Sequence, residues 1–324
     1  MPEAVGRPPG ARRVRGTYAV ISGLALTLAL ALSGCAGGST ARVQPHATLA
    51  NALASQSVYV TILLDQTYQN PGVTLALNAQ TGALRWNANT TGPGAAPAVA
   101  GGAVFVAPED GSIRSLDAAT GAPRWTYTRA TGVSAQYGFD GYAVISGATL
   151  FVTSDSGAVF ALDPATGKLR WMRTWPHTSD TIYAAPAVDG GMVFVPVGGQ
   201  DGGAYALDAA TGAIRWHTAH LEGFDARPVV ADGVVYFSGQ TPGTLVALDE
   251  KTGATRWEQG SSGTSSAPVV SGGLVYTAGA DEIIRAYHVT DGSTVWTFQT
   301  GGSAGNALIA TGAALTFDGG TLYA

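Results

Sequence analysis

The chain of 324 residues is 46% hydrophobic and only 12% charged, with 17 basic against 22 acidic residues and a formal net charge of −5. Disorder requires low hydrophobicity with high net charge, and a nucleic-acid surface requires a basic face, so both classes are excluded. Four of the basic residues (Arg7, Arg12, Arg13, Arg15) lie in the first 34 positions, which leaves the remainder more acidic still.

Residues 1–17 are rich in Arg and Pro, and an apolar run follows from Tyr18 to Leu32. The run is shorter than the ~20 residues of a bilayer-spanning helix and has the layout of a secretory signal peptide. It ends in Leu32-Ser33-Gly34-Cys35, which resembles the lipobox of bacterial lipoproteins. There, small residues fit the signal peptidase and the thiol takes a diacylglyceryl thioether. Residues 1–34 are therefore expected to be a lipoprotein signal peptide, with Cys35 the lipid-bearing, palmitate-labelled first residue of the mature chain. Residues 35–41 are then a flexible tether. Cys35 is the only cysteine, so no internal disulfide forms. The expected location is the periplasmic face of the outer membrane in a two-membrane cell, or the surface of a one-membrane cell.

Beyond residue 41 one phrase recurs. Its clearest copy is Tyr205-Ala206-Leu207-Asp208-Ala209-Ala210-Thr211-Gly212-Ala213-Ile214-Arg215-Trp216. The closing tryptophan returns as Trp86, Trp125, Trp171, Trp216, Trp257 and Trp296, at spacings of 39, 46, 45, 41 and 39 residues. Upstream lies a second phrase, Ala185-Pro186-Ala187-Val188-Asp189-Gly190-Gly191-Met192-Val193-Phe194-Val195. It recurs around Pro97, Pro228 and Pro268, and more weakly at Ala143–Val152 and Ala307–Phe317. Alternation with a period of two, broken by Gly-containing turns, reads each unit as four short antiparallel strands. The expected fold is an all-β propeller of four-stranded blades over residues 42–324, seven in number, or eight if the chain continues past Ala324.

In this reading Leu49–Val60 supplies the first two strands of blade one. Asn306–Phe317 is the first strand pair of blade seven, Thr321–Ala324 begins its third strand, and Ala41–His46 closes the ring as its fourth. The repeat residues take structural roles, because what every unit carries serves what every unit shares. Asp117, Asp163, Asp208 and Asp249 bind backbone N–H groups of a turn. His288 substitutes for them in the sixth copy, and the tryptophans pack between blades.

Functional residues are sought where the repeat breaks. Trp86 to Val99 is 13 residues, but Trp125 to Val144 is 19 and Trp171 to Val188 is 17, and Leu63–Val73 carries an insertion of its own. By strand phase these segments share one face. They hold Tyr68; Arg129, Tyr137, Phe139 and Asp140; and Trp175, His177, Asp180 and Tyr183. Loop aromatics beside polar groups suit a protein partner or a glycan. His217, His220, Glu222 and Asp225 are metal-ligand types in one connecting segment, but spacing in a short loop assigns no metal, and none is expected.

The Ala-Leu-Asp-x-x-Thr-Gly-x-x-x-Trp phrase resembles the quinoprotein (PQQ-like) propeller repeat. A small propeller carried on a lipoprotein resembles the BamB-type subunit of the outer-membrane barrel assembly machinery, whose members have eight blades. The resemblance implies a non-catalytic, cofactor-free scaffold that binds envelope proteins. Two alternatives stay open, a PQQ-dependent dehydrogenase and a glycan-binding surface lipoprotein. Against the dehydrogenase stand the absence of an adjacent cysteine pair, of a Cys-x-x-Cys-His haem site, and of the large insertions such enzymes carry.

Overall fold

Strands form wherever the two apolar phrases fall. A computed structural model describes residues 57–63, 71–91, 96–108, 110–128, 142–175, 177, 179–219, 226–240, 243–260, 266–279, 281–300, 315–318 and 320–323. The expectations for residues 1–34, Cys35, the tether, and Ala41–His46 lie outside them. Among the described residues every regular element is a strand.

Blade one shows β1 (Ser57–Leu63), β2 (Pro71–Asn78) and β3 (Leu84–Thr91). Five complete four-stranded meanders follow. Blade two has β4 (Ala98–Ala100), β5 (Ala103–Val106), β6 (Ser112–Asp117) and β7 (Pro123–Thr128). Blade three has β8 (Ala143–Ser146), β9 (Thr149–Ser154), β10 (Ala158–Leu162) and β11 (Leu169–Thr174). Blade four has β12 (Ala187–Asp189), β13 (Met192–Val197), β14 (Gly203–Asp208) and β15 (Ile214–Ala219). Blade five has β16 (Val229–Ala231), β17 (Val234–Gln240), β18 (Gly243–Asp249) and β19 (Thr255–Gly260). Blade six has β20 (Val269–Ser271), β21 (Leu274–Ala278), β22 (Ile283–His288) and β23 (Thr294–Gln299), and β24 (Thr316–Asp318) pairs with β25 (Thr321–Tyr323). First strands of successive blades lie side by side, β4 by β8, β8 by β12, β12 by β16, β16 by β20 and β20 by β24, and so line the axis.

The core sits between blades rather than within them. Phe105 and Ile113 of blade two pack with Leu150, Val152 and Phe160 of blade three. Phe194 of blade four packs with Phe237 and Val246 of blade five. Both faces of the second and third strands are thus covered, which is why β10 and β13 read as nearly unbroken apolar runs.

The tryptophan docks one blade onto the next. The indole N–H of Trp216 donates to the Glu250 carbonyl at 2.8 Å, and Trp171, Trp125, Trp86 and Trp257 donate likewise to Ala209, Pro164, Ala118 and Val289. Each acceptor follows the aspartate slot of the neighbouring blade's turn. The turn's glycine lies flat under the ring: a Cβ on Gly212 (φ +71°) would stand 2.5 Å from Trp171. The turn itself is shaped by Asp208 Oδ1, which accepts from the N–H groups of Ala210 (3.1 Å) and Thr211 (2.8 Å). A bulge precedes each of the six repeat tryptophans, and in blades two to five it swings an arginine back toward that aspartate. Arg215 thereby bonds Asp208, and Arg124, Arg170 and Arg256 bond Asp117, Asp163 and Asp249. The arginine first, and the threonine second, hold Asp117, Asp208 and Asp249 at a pKa of about 2 and lower Asp163.

Two expectations need correction. In the sixth turn the carboxylate bonds come from Asp291, which accepts from the Ser293 N–H at 2.9 Å and the Ser293 hydroxyl at 2.7 Å, and His288 supplies only backbone. In blade seven, β24 and β25 are the first and second strands. Their register, Asp318 opposite Thr321, repeats that of Asp189 opposite Met192, and Phe317 stacks on Tyr276 of blade six at 5.8 Å. The sequence offers two glycine turns, Thr311-Gly312 and Gly319-Gly320, and the apolar pattern fits both. Only the second sets Phe317 against blade six. Trp296 meets no neighbouring turn among the described residues and is 38% exposed.

Candidate loop face

An antiparallel meander puts its second-to-third strand turns and its blade-to-blade connections at the same end. The described strand ends that flank residues 64–70, 129–141, 176–186, 220–228 and 301–315 therefore share one face. Tyr68, Arg129, Tyr137, Phe139 and Asp140 belong to it by sequence and lie outside the described residues, as do His220, Glu222 and Asp225.

The connection from β11 to β12 is described almost whole, and it is stitched down. Asp180 is 2% exposed, and its carboxylate accepts from the backbone N–H of His177 (3.2 Å) and of Asp201 (3.1 Å), the latter in the β13–β14 turn. Thr181 and Gly198 exchange backbone bonds at 3.1 and 2.8 Å. Gly157 (φ +69°) fits only as glycine, since a Cβ would lie 2.4 Å from the Asp180 carbonyl. Ile182 drops into the core beside Val195 and Val197, and Tyr183, 37% exposed, projects outward.

Three rings extend this anchor. Trp175 meets Tyr205 edge-on at 5.1 Å, and Tyr205 stacks on His217 at 4.1 Å. The Tyr205 hydroxyl donates to the Asp201 carbonyl at 2.8 Å, and burial pushes its pKa up. His177 Nε2 lies 3.7 Å from Asp201 Oδ1, both side chains being half-exposed. The structure thus brings Trp175, His177 and Asp180 together, with Tyr183 partly exposed on the same connection. Asp180 is consumed in holding the loop. His217 sits on the outermost strand β15, not in a loop. Asp201 and Tyr205 were not legible as members of this group, because they lie inside repeat-like turn and strand sequence. Arg227 was missed too, although it breaks the Ala-Pro slot occupied elsewhere by Ala96, Ala185 and Ala267.

Among the described residues no three His, Cys, Asp or Glu side chains cluster closely enough for a metal ion. What the described part offers is an irregular surface carrying Tyr183, His177 and Asp201, all partly exposed.

Comparison with known proteins follows the same line. The family model described as outer membrane protein assembly factor BamB matches residues 42–195, 133–217 and 200–324. The crystal structure of BamB from Moraxella catarrhalis is similar with a TM-score of 0.65 and 23% identity, over 83% of this chain and 76% of that one. The computationally designed Ika8 protein gives 0.63 at 18% identity, over 81% and 78%. Quinohemoprotein alcohol dehydrogenase from Comamonas testosteroni gives 0.50 at 14%, over 81% and 67%. At these identities the structural likenesses establish the fold alone. No curated protein sequence matches the chain significantly.

Proposed function

The chain belongs to the BamB family of propellers, and from that premise we propose that it is a lipid-anchored, non-catalytic scaffold that holds a partner protein in the cell envelope. The observation that carries this reading is the segregation of irregular sequence to one face. The repeat is spent on packing, whereas the long connections break it, and the one described most fully is locked by Asp180 into a fixed shape. A preformed surface loses less ordering entropy on binding. Anchoring through Cys35 would hold the propeller at a membrane.

The enzyme reading asks for more than these residues bring together. A tricarboxylate quinone and its metal call for several cations and a clustered acid set, and among the described residues no three His, Cys, Asp or Glu side chains cluster. Sustained dye reduction with added quinone, calcium and alcohols would reverse this preference.

The experiment is a pull-down from detergent-solubilised envelope with intact protein and with the 129–141 segment shortened. The scaffold reading expects a barrel-assembly component to be enriched by the first and lost from the second. Equal recovery from both, or none from either, counts against it. Cys35→Ser should abolish palmitate incorporation and detergent-phase partition; an unchanged partition would assign the anchor to the apolar run instead.

A further inference from the structure

The residue before proline in the inner-strand phrase follows one pattern of burial in blades four, five and six. Ala184, Ala226 and Ser266 are buried, Pro186, Pro228 and Pro268 are buried, and the side chain between them is turned out. In blades two, four and six that side chain is a methyl group, of Ala96, Ala185 and Ala267. In blade five it is Arg227, exposed at the point where the chain enters β16 on the axial side. The corresponding slots on blades four and six hold alanine.

Every other described arginine has a partner: Arg114, Arg124, Arg170, Arg215, Arg256 and Arg285 pair with aspartates, Arg173 bonds the Gly212 carbonyl, and Arg85 is engaged. Among the described residues Arg227 has none. Water reaches it, yet the protein around it lowers its pKa by burial, and no acid among the described residues offsets that. A partly desolvated cation with no partner among the described residues is unfavourable for the free fold and favourable for capturing an anion.

We propose that Arg227 is an anchor for a carboxylate borne by an acidic segment of a partner protein, docking at the axial mouth of blade five. The inference rests on the scaffold reading and names the chemistry its partner presents. A guanidinium fork matches one carboxylate bidentately. A polyanionic membrane or nucleic acid fits less well, because the chain as a whole is acidic at −5 and offers one free cation here rather than a basic field. Glu222 and Asp225 belong to the same connection and lie outside the described residues, so the test includes them.

The probes are three blocked pentapeptides, Ala-Phe-X-Phe-Ala, with X as glutamate, glutamine or phosphoserine. They are titrated at low salt into the full chain while the arginine Nε–Hε signals are followed by NMR. The Arg227 signal is identified by its loss in Arg227→Lys. The expected result is saturable movement with the glutamate peptide and binding weaker by about tenfold or more with the glutamine peptide, a preference abolished in Arg227→Ala. Equal binding of those two, no binding of either, or stronger binding of the phosphoserine peptide overturns the proposal. So does a signal that responds to the peptide only after Glu222→Gln or Asp225→Asn, which would assign Arg227 to its own loop. In the envelope pull-down, equal recovery by intact protein and Arg227→Ala sinks this inference and spares the scaffold reading. Recovery of no partner at all sinks the scaffold reading, and the peptide result still decides Arg227.

Discussion

Gly212→Ala tests whether the blades are fastened by tryptophan docking. The turn needs φ +71° there, and a Cβ would stand 2.5 Å from Cε3 and 2.8 Å from Cδ2 of Trp171. That ring cannot retreat, because it is bonded to the Ala209 carbonyl at 3.0 Å and set against Phe151 at 5.9 Å. Gly191, in the same blade, supplies the control, since at φ +78° it has nothing within 4 Å of the added carbon. Both variants lose roughly 1–2 kcal/mol for an alanine in the left-handed region. Gly212→Ala loses roughly 1–3 kcal/mol more for forcing a methyl into a filled contact. At about 2 °C per kcal/mol for a domain of this size, Gly191→Ala should lower Tm by about 2–4 °C and Gly212→Ala by about 4–10 °C. Thermal melts followed by circular dichroism read both. A double-mutant cycle sharpens the comparison, because Trp171→Phe should make Gly212→Ala cheaper than it is in the intact protein. Equal losses from the two glycine variants, or strict additivity with Trp171→Phe, would refute the docking argument.

Glu250 occupies the slot held elsewhere by Ala118, Pro164, Ala209 and Val289; it is 7% exposed and faces Asp189 of blade four, so burial first and the Asp189 charge second raise its pKa. A raised carboxyl pKa means that the folded state binds the extra proton, and stability falls as pH rises beyond the ordinary glutamate range. Glu250→Gln should therefore melt higher than the parent at neutral pH, with the gap closed by about pH 4; a lower melting point at neutral pH would count against it. Asp208 acts at the other end of the scale, since its pKa is held at about 2, and its contribution is present above the ordinary aspartate value and lost as pH falls toward that figure. Asp208→Asn should keep the turn and flatten the acid limb of the stability profile, because Asn78 already holds the blade-one turn by accepting from the N–H groups of Gln80 (2.9 Å) and Thr81 (3.0 Å); an unchanged acid limb sinks the assignment.

The fold was legible because its period is written six times over, and each copy carries turn chemistry that a strand pair cannot ignore. It was misread where the writing was ambiguous. Around blade seven two glycine turns satisfy the same alternation, and the choice between them depends on Phe317 reaching Tyr276, a contact that no local pattern encodes. The loop face was legible as a set of insertions, but the roles inside it were not. Asp180 sits in an insertion and so reads as available, yet its acceptor sites are filled by an N–H three residues back and another 21 residues on, at Asp201. Three residues that break the repeat illustrate how structure sorts them. Asp180 is used up within a loop, and Glu250 within the seam between two blades. Arg227 is used by nothing among the described residues. In a repeat protein the shared residues are already committed to shared contacts, so specificity has to be carried by departures from the repeat. Of those departures, only the ones whose bonding capacity is still open can act on another molecule.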